Sequence, residues 1–212
     1  MKKLPFLYPI LDIKSESELD SAFAYAKRLL AEDIKILQLR AKNVSESSLI
    51  SFTKEVLGLR DSLSKDCFLI VNDFIGVAER TAAHGVHLGQ GDESPELARR
   101  VLGDGAIVGL STHTLEQAKA SNKEVLNYIG VGPMFHSVTK SGHAKEVGCE
   151  KLLIICREVL LPVVAIGGVT AQRAEAVYAA GASSVAVISE LAAADNLSLK
   201  IAEFEKAYRK SL

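Results

Sequence analysis

Gln38, Arg40 and Lys42 alternate along Gln38-Leu39-Arg40-Ala41-Lys42, so at an extended strand end all three project to one side. Arginine grips phosphate oxygens with a planar fork, and lysine adds a point charge. Gln38 is neutral and offers both a donor and an acceptor, which suits a heterocyclic ring. The plainer reading is a strand end with solvated charges. Asp73 and Asp92 each follow an apolar run. Two carboxylates meeting beside basic residues make a Mg²⁺ site, since Mg²⁺ prefers oxygen ligands and commonly bridges to substrate phosphates. Taken singly, Asp73 reads as a helix N-cap and Asp92 as a turn residue. A third signal is the pair of runs Val163-Val164-Ala165-Ile166-Gly167-Gly168-Val169 and Ser184-Val185-Ala186-Val187-Ile188-Ser189, each stopping at small residues before a helical pattern. Glycine lets a backbone approach an anion closely, and a helix start offers free N–H donors. Two such endings make a phosphate cup; otherwise they are two buried strands with ordinary loops. Lys140 lies in a long loop with Gly132, Pro133 and Gly142, where Ser137 and Thr139 join it as candidates to close over a phosphate. The alternative is a solvated loop.

Other chemistry finds less support. Of the five histidines, His84 and His87 flank or lie within a strand and read as structural. His113 follows a strand end, where it would orient a substrate or act as an acid or base near neutral pH. His136 and His143 are loop residues without an assigned role. No compact spacing suggests a zinc cluster, no residue set suggests a Ser-His-Asp triad, and no dinucleotide fingerprint follows the first strand.

Composition is consistent with a globular α/β protein: 212 residues, 48% hydrophobic, with 25 basic and 26 acidic side chains. That balance argues against non-specific nucleic-acid or membrane binding, so any anion site must be local. Cys67, Cys149 and Cys156 show no ligand spacing and read as thiols of a reducing compartment. No signal peptide and no bilayer-spanning run are read, so the expected location is cytoplasmic.

The elements that must position these residues alternate from end to end. The expected strands are Leu7–Leu11, Ile34–Leu39, Phe68–Val71, Gly85–Leu88, Ile107–Leu110, Tyr128–Val131, Val163–Ile166 and Ser184–Val187, with amphipathic stretches such as Leu19–Leu30, Leu49–Leu63 and Ala171–Ala180 between them. Ser15-x-x-Glu18 and Thr114-x-x-Gln117 read as capping boxes, and Ser94-Pro95 as a capping serine followed by proline. Eight β-then-α units without a linker predict one domain over residues 1–212, a single (β/α)8 TIM barrel of the α/β class. A doubly wound open sheet is the main alternative. Strands of near-equal length that are apolar at almost every position favour closure. In such a barrel the chemistry sits past the strand C-termini. There the chain places its charges, glycines and hydroxyls, Ser111 among them, whereas the opposite turns, such as Ala31-Glu32-Asp33, are plain.

At this point the motifs resemble a known family, thiamine-phosphate synthase (thiamine-phosphate pyrophosphorylase). The resemblance rests on Gln38-Leu39-Arg40-x-Lys42, Asn72-Asp73, His87-Leu88-Gly89-Gln90-x-Asp92, Gly132-Pro133 with Thr139-Lys140, and Ala165-Ile166-Gly167-Gly168-Val169, in order over nearly the whole chain. It implies that 4-amino-2-methyl-5-hydroxymethylpyrimidine diphosphate loses pyrophosphate and is captured by the nitrogen of 4-methyl-5-(2-hydroxyethyl)thiazole phosphate. Gln38 would contact the pyrimidine. Arg40, Lys42, Asn72, Ser111 and Lys140 would hold the diphosphate, with Arg40, Lys42 and Lys140 as catalytic charges. Asp73 and Asp92 would bind Mg²⁺. Ser137 and Thr139 would approach the thiazole phosphate, and Gly168, Val187, Ile188 and Ser189 would complete its cup. The implied partners are these two small molecules; oligomeric state is not fixed, so a homo-oligomer stays open. The chain departs from the family at Ala41 and Gly91, where acidic residues are usual, at His136 in place of proline, and at Leu11-Asp12 in place of Thr-Asp.

Three rivals remain at this level. A thiazole tautomerase of the related branch would use a histidine near His113, but it has no need of Arg40, Lys42, Asp73, Asp92 and Lys140 together. A non-catalytic sensor would keep the phosphate cup alone. A phosphosugar isomerase or epimerase would share the cup but leave the acid pair unexplained.

Overall fold

A computed structural model describes residues 4–63, 66–136 and 145–212. Its strands are β1 (Leu7–Ile13), β2 (Ile36–Ala41), β3 (Phe68–Asn72), β4 (Gly85–Leu88), β5 (Ile107–Thr112), β6 (Tyr128–Val131), β7 (Val163–Ile166) and β8 (Ser184–Val187). They form a closed barrel in sequence order, the α/β (β/α)8 architecture the alternating pattern predicts. Four strands reach further than their apolar runs, β3 by one residue to Asn72, which pairs with His87. In the others, β1 continues to Ile13, β2 to Ala41 and β5 to Thr112, because the parallel ladder extends there: Asp12 pairs with Arg40, Ile13 with Ala41 and Thr112 with Val131. Asp12, Arg40 and Ser111 are therefore fixed by backbone pairing, although their side chains are polar.

The contacts divide the chain into two compact units, Pro9–Val108 and Met1–Tyr8 with Gly109–Leu212. The first contains most of β1, β2 to β4, and helices α1 (Leu19–Ala31), α2 (Glu46–Ser62), α3 (Ile75–Thr81) and α4 (Pro95–Leu102). Leu37, Leu39, Leu69 and Val71 are fully buried, as strands covered on both faces require. Ser45 and Ser94 cap α2 and α4 by accepting from the N–H groups of Ser48 and Leu97 at 3.2 Å each, and Pro95 opens α4 as expected. Ser15 makes no side-chain cap; the Glu18 carboxylate instead accepts from the Lys14 N–H at 2.8 Å, one residue earlier than a capping box, because a short 3-10 turn precedes α1.

The second unit contains β5 to β8 and helices α5 (Leu115–Lys119), α6 (Gly148–Glu158), α7 (Ala171–Ala179), α8 (Ser189–Ala192) and α9 (Leu197–Lys210). Thr114 caps α5 by accepting from the Gln117 N–H at 3.2 Å, while Gln117 reaches back to the His113 N–H at 2.8 Å rather than to the cap residue itself. Within this unit the hydroxyls of Tyr8 and Tyr128 meet at 2.8 Å, both buried. Gly109 makes room for that pair: a Cβ there would lie 2.2 Å from the Tyr128 ring.

Candidate active site

In the unit Pro9–Val108, register decides which side chains share a face. Ile10 pairs with Gln38 and Asp12 with Arg40 between β1 and β2; Gln38 pairs with Ile70 between β2 and β3; Asn72 pairs with His87 between β3 and β4. Gln38, Arg40 and Asn72 thus sit on one side of the ladder. Gln38 is only 3% exposed and Asn72 8%, so both are built into the fold rather than solvated at its edge. Lys42 follows the end of β2 and is exposed. The Arg40 guanidinium is ion-paired with Asp12, whose side chain is 7% exposed.

β3 ends in a tight turn centred on Asp73, which has a φ of 68°. The Phe74 N–H closes the turn onto the Asn72 carbonyl at 2.9 Å, and the Asp73 N–H donates to the His87 carbonyl at 2.8 Å. A left-handed conformation is unfavourable for a residue with a Cβ, and such strain concentrates at functional positions. The cap position of α3 belongs to Phe74, so Asp73 is not the N-cap its sequence position allows. Asp92 does act as a turn residue: one carboxylate oxygen accepts from the Gly89 N–H at 2.6 Å. Its charge also bears on Asp73. Burial, the side-chain hydrogen bond with Asp92 and the negative charge of Asp92 push the Asp73 carboxyl up to about 6; Lys42 and Arg40 pull the other way without cancelling them.

Two neighbouring carboxylates, one of them partly buried, would be stabilised by a divalent cation between them. Among the described residues no group of three His, Cys, Asp or Glu side chains gathers as a metal site. Mg²⁺ commonly takes only one or two protein carboxylates, so Asp73 and Asp92 are the residues that would hold it.

The unit containing β5 to β8 is built differently. Ser111 on β5 pairs with Gly130 on β6. The His113 ring donates from Nδ1 to the Gly132 carbonyl at 2.6 Å, the only direction available when the partner is a carbonyl. Past β6, the Met134 N–H bonds the Ile166 carbonyl at 2.9 Å and the Phe135 N–H bonds the Gly167 carbonyl at 3.0 Å. The two chain ends are thereby tied together. Gly167 and Gly168 have φ values of 100° and 64°, a consecutive pair of left-handed residues that only glycine adopts cheaply. A Cβ on Gly168 would also lie 2.6 Å from the His136 carbonyl oxygen. The Gly168 carbonyl accepts from Arg173 Nη1 at 2.8 Å, and the same guanidinium lies 4.8 Å from the centre of the Phe135 ring.

These segments wall a cavity of about 80 Å³ lined by Pro133, Gly167, Gly168, Val187, Ile188 and Ser189, among others. Ser189 is the first residue of α8, a position whose N–H lacks a partner within the helix. The cup residues Gly168, Val187, Ile188 and Ser189 are thus brought together, as are Gln38, Arg40, Asn72, Asp73 and Asp92 in the other unit. Ser137, Thr139 and Lys140 lie outside the described residues. Two contacts were not legible as site features in the sequence. Asp12 has a weak signal, an acid at a strand end; Arg173 has none, being one exposed helical arginine among many.

A closed parallel barrel with charged groups and a glycine turn past its strand C-termini is the architecture of a barrel enzyme. The chain belongs to the thiamine monophosphate synthase family, whose model matches residues 7–191, and it is accordingly an enzyme, a transferase of thiamine biosynthesis. It is 38% identical over 192 residues to a thiamine-phosphate synthase of Koribacter versatilis, covering 89% of this chain and 90% of that one. Over 168 residues it is 39% identical to the enzyme of that name from Azorhizobium caulinodans, covering 79% and 78%. Among solved structures, a thiamine phosphate pyrophosphorylase from Pyrococcus furiosus superposes with a TM-score of 0.83 at 28% identity, covering 98% and 96%.

Proposed function

We propose that this transferase condenses 4-amino-2-methyl-5-hydroxymethylpyrimidine diphosphate with 4-methyl-5-(2-hydroxyethyl)thiazole phosphate, giving thiamine phosphate and pyrophosphate. The observation that carries the reading is the Asp73–Asp92 pair within electrostatic reach of Lys42 and Arg40. A phosphate cup alone would serve many phosphorylated ligands; a carboxylate pair beside two cations calls for a metal-bridged diphosphate.

Breaking the carbon–oxygen bond places negative charge on the departing diphosphate, and the amino-pyrimidine can carry the complementary positive charge on its methylene. The step is then dissociative and needs no protein nucleophile. Mg²⁺, when bound at Asp73 and Asp92, would supply charge neutralisation on the leaving group. Arg40 and Lys42 add fixed positive charge there, with Lys140 assigned to the same task by the family resemblance. Buried Gln38 orients the pyrimidine through its amide and Asn72 adds a polar contact to the diphosphate, with Ser111 assigned to the same group by the family resemblance. The Gly167–Gly168 turn, with Val187, Ile188 and Ser189, grips the thiazole phosphate through backbone N–H groups, and Ser137 and Thr139 approach it by resemblance. Holding both reactants in place supplies much of the remaining acceleration.

The test is pyrophosphate release from purified protein given both substrates, with and without Mg²⁺. Mg²⁺-dependent release with matching formation of thiamine phosphate supports the reading. No release from folded protein with intact substrates would reject it and turn attention to His113.

A further inference from the structure

Asp12 is the one acidic side chain in β1, and nothing in the reaction above requires it. It is nevertheless almost fully buried and ion-paired with Arg40, its register partner on β2. Burying a carboxylate is costly unless its partner and geometry are fixed, so the pairing constrains Arg40 as well as stabilising Asp12. Arg40 sits one step past the Leu39–Val71 register pair, beside the Asn72 that precedes Asp73. The Asp73 N–H donates to the His87 carbonyl and the Asp92 carboxylate accepts from the Gly89 N–H two residues further on, so the two acids end neighbouring strands. A guanidinium released from Asp12 would therefore have these two further carboxylates beside it. Occupying them, it would form the ion pair that a divalent cation must displace.

We propose that Asp12 is a positioning residue: by holding the Arg40 guanidinium along one edge, it keeps Arg40 off the Asp73–Asp92 pair and leaves those oxygens open to a divalent cation. The remaining N–H groups of the fork stay available to the diphosphate. This inference rests on the metal and diphosphate reading of the same residues.

Direct binding of Mn²⁺ alone, followed by electron paramagnetic resonance on metal-free protein, tests it without turnover. Asp12→Asn keeps the shape and removes the charge. The expected result is Mn²⁺ binding weakened roughly tenfold, the range seen when groups orienting a metal site are lost. In steady state the KM for the pyrimidine diphosphate rises while that for the thiazole phosphate stays within about twofold. Asp12→Glu restores part of both losses. The double variant Asp12→Asn/Arg40→Gln binds Mn²⁺ as Arg40→Gln does, because no guanidinium is left to fall onto the carboxylates. That comparison needs no folded Asp12→Asn single variant. Unchanged Mn²⁺ affinity in Asp12→Asn, or a weakening that persists when Arg40 is absent, overturns the role of Asp12. Failure of the wild-type protein itself to bind Mn²⁺ would instead overturn the metal reading beneath it.

Discussion

The features proposed to bind anions in the two units are made from opposite materials. In Pro9–Val108 they are side chains: buried Gln38 and Asn72, the paired Arg40 and Asp12, and the carboxylates of Asp73 and Asp92. In the unit containing β5 to β8 they are backbone, where left-handed Gly167 and Gly168 and the start of α8 wall a small cavity. The difference matches the demand each would meet. A leaving diphosphate gains charge as its bond breaks, so its holder must stabilise the transition state more than the ground state. A phosphate that only anchors a substrate keeps its charge throughout, and neutral N–H donors suffice.

The sharpest way to break this contrast is Asp92→Ala. Turnover should fall on the order of 10²-fold or more and lose its Mg²⁺ dependence, as expected when charge stabilisation of the leaving group is removed. The KM for the thiazole phosphate should hardly move. Steady-state pyrophosphate release at varied Mg²⁺ checks both, and retained metal dependence would remove Asp92 from the site.

Gly168→Ala attacks the other material. A φ of 64° and a Cβ placed 2.6 Å from the His136 carbonyl oxygen force the turn to shift. The KM for the thiazole phosphate should rise about tenfold, and stability should fall by about 1–3 kcal/mol, the usual cost of a strained position. Thermal unfolding measures the second effect separately.

Metal-free stability sharpens the comparison further. The Asp73 carboxyl is raised to about 6 in the folded protein, so its contribution is full below the unfolded value near 3.8 and is lost as pH rises through about 6. The melting temperature of metal-free wild type, relative to Asp73→Asn, should therefore decline between pH 4 and pH 7. Mg²⁺ should offset that decline at neutral pH. A difference between the two proteins that stays flat with pH would show that the Asp73 carboxyl is not raised by the fold.

The smallest effect is expected at His84, just before β4. Burial first, and the Arg60 charge second, lower its ring pKa below 6.5. Its Nδ1 accepts from the Leu69 N–H at 3.0 Å, which bears out the structural role read for it. A lowered histidine contributes stability above about 6.5 that is lost as pH falls, opposite in sign to Asp73. Melting of His84→Asn against wild type over pH 5–7 should reveal a slope of that sign.

The chain made its repeat and its rim chemistry legible because alternating apolar runs and one-sided polar strand ends are local patterns. β4, β6, β7 and β8 fall where their apolar runs lie. The extensions of β1, β2, β3 and β5 do not, since Asp12, Arg40, Asn72 and Thr112 are held by a neighbouring strand's register, a non-local property. The same holds for the site. The residue types of the acid pair could be read from the sequence, but the left-handed turn at Asp73, the Asp12–Arg40 pair and the Arg173 contact with Gly168 and Phe135 depend on groups distant in the chain or on backbone geometry.

The most direct test of two anion holders made for two substrates is the pair of KM values of Gly168→Ala against wild type in pyrophosphate release. A rise of about tenfold for the thiazole phosphate, with the pyrimidine diphosphate within about twofold, is the predicted result. An equal rise for both, or a rise for the diphosphate alone, would contradict the assignment of the glycine turn to the thiazole phosphate.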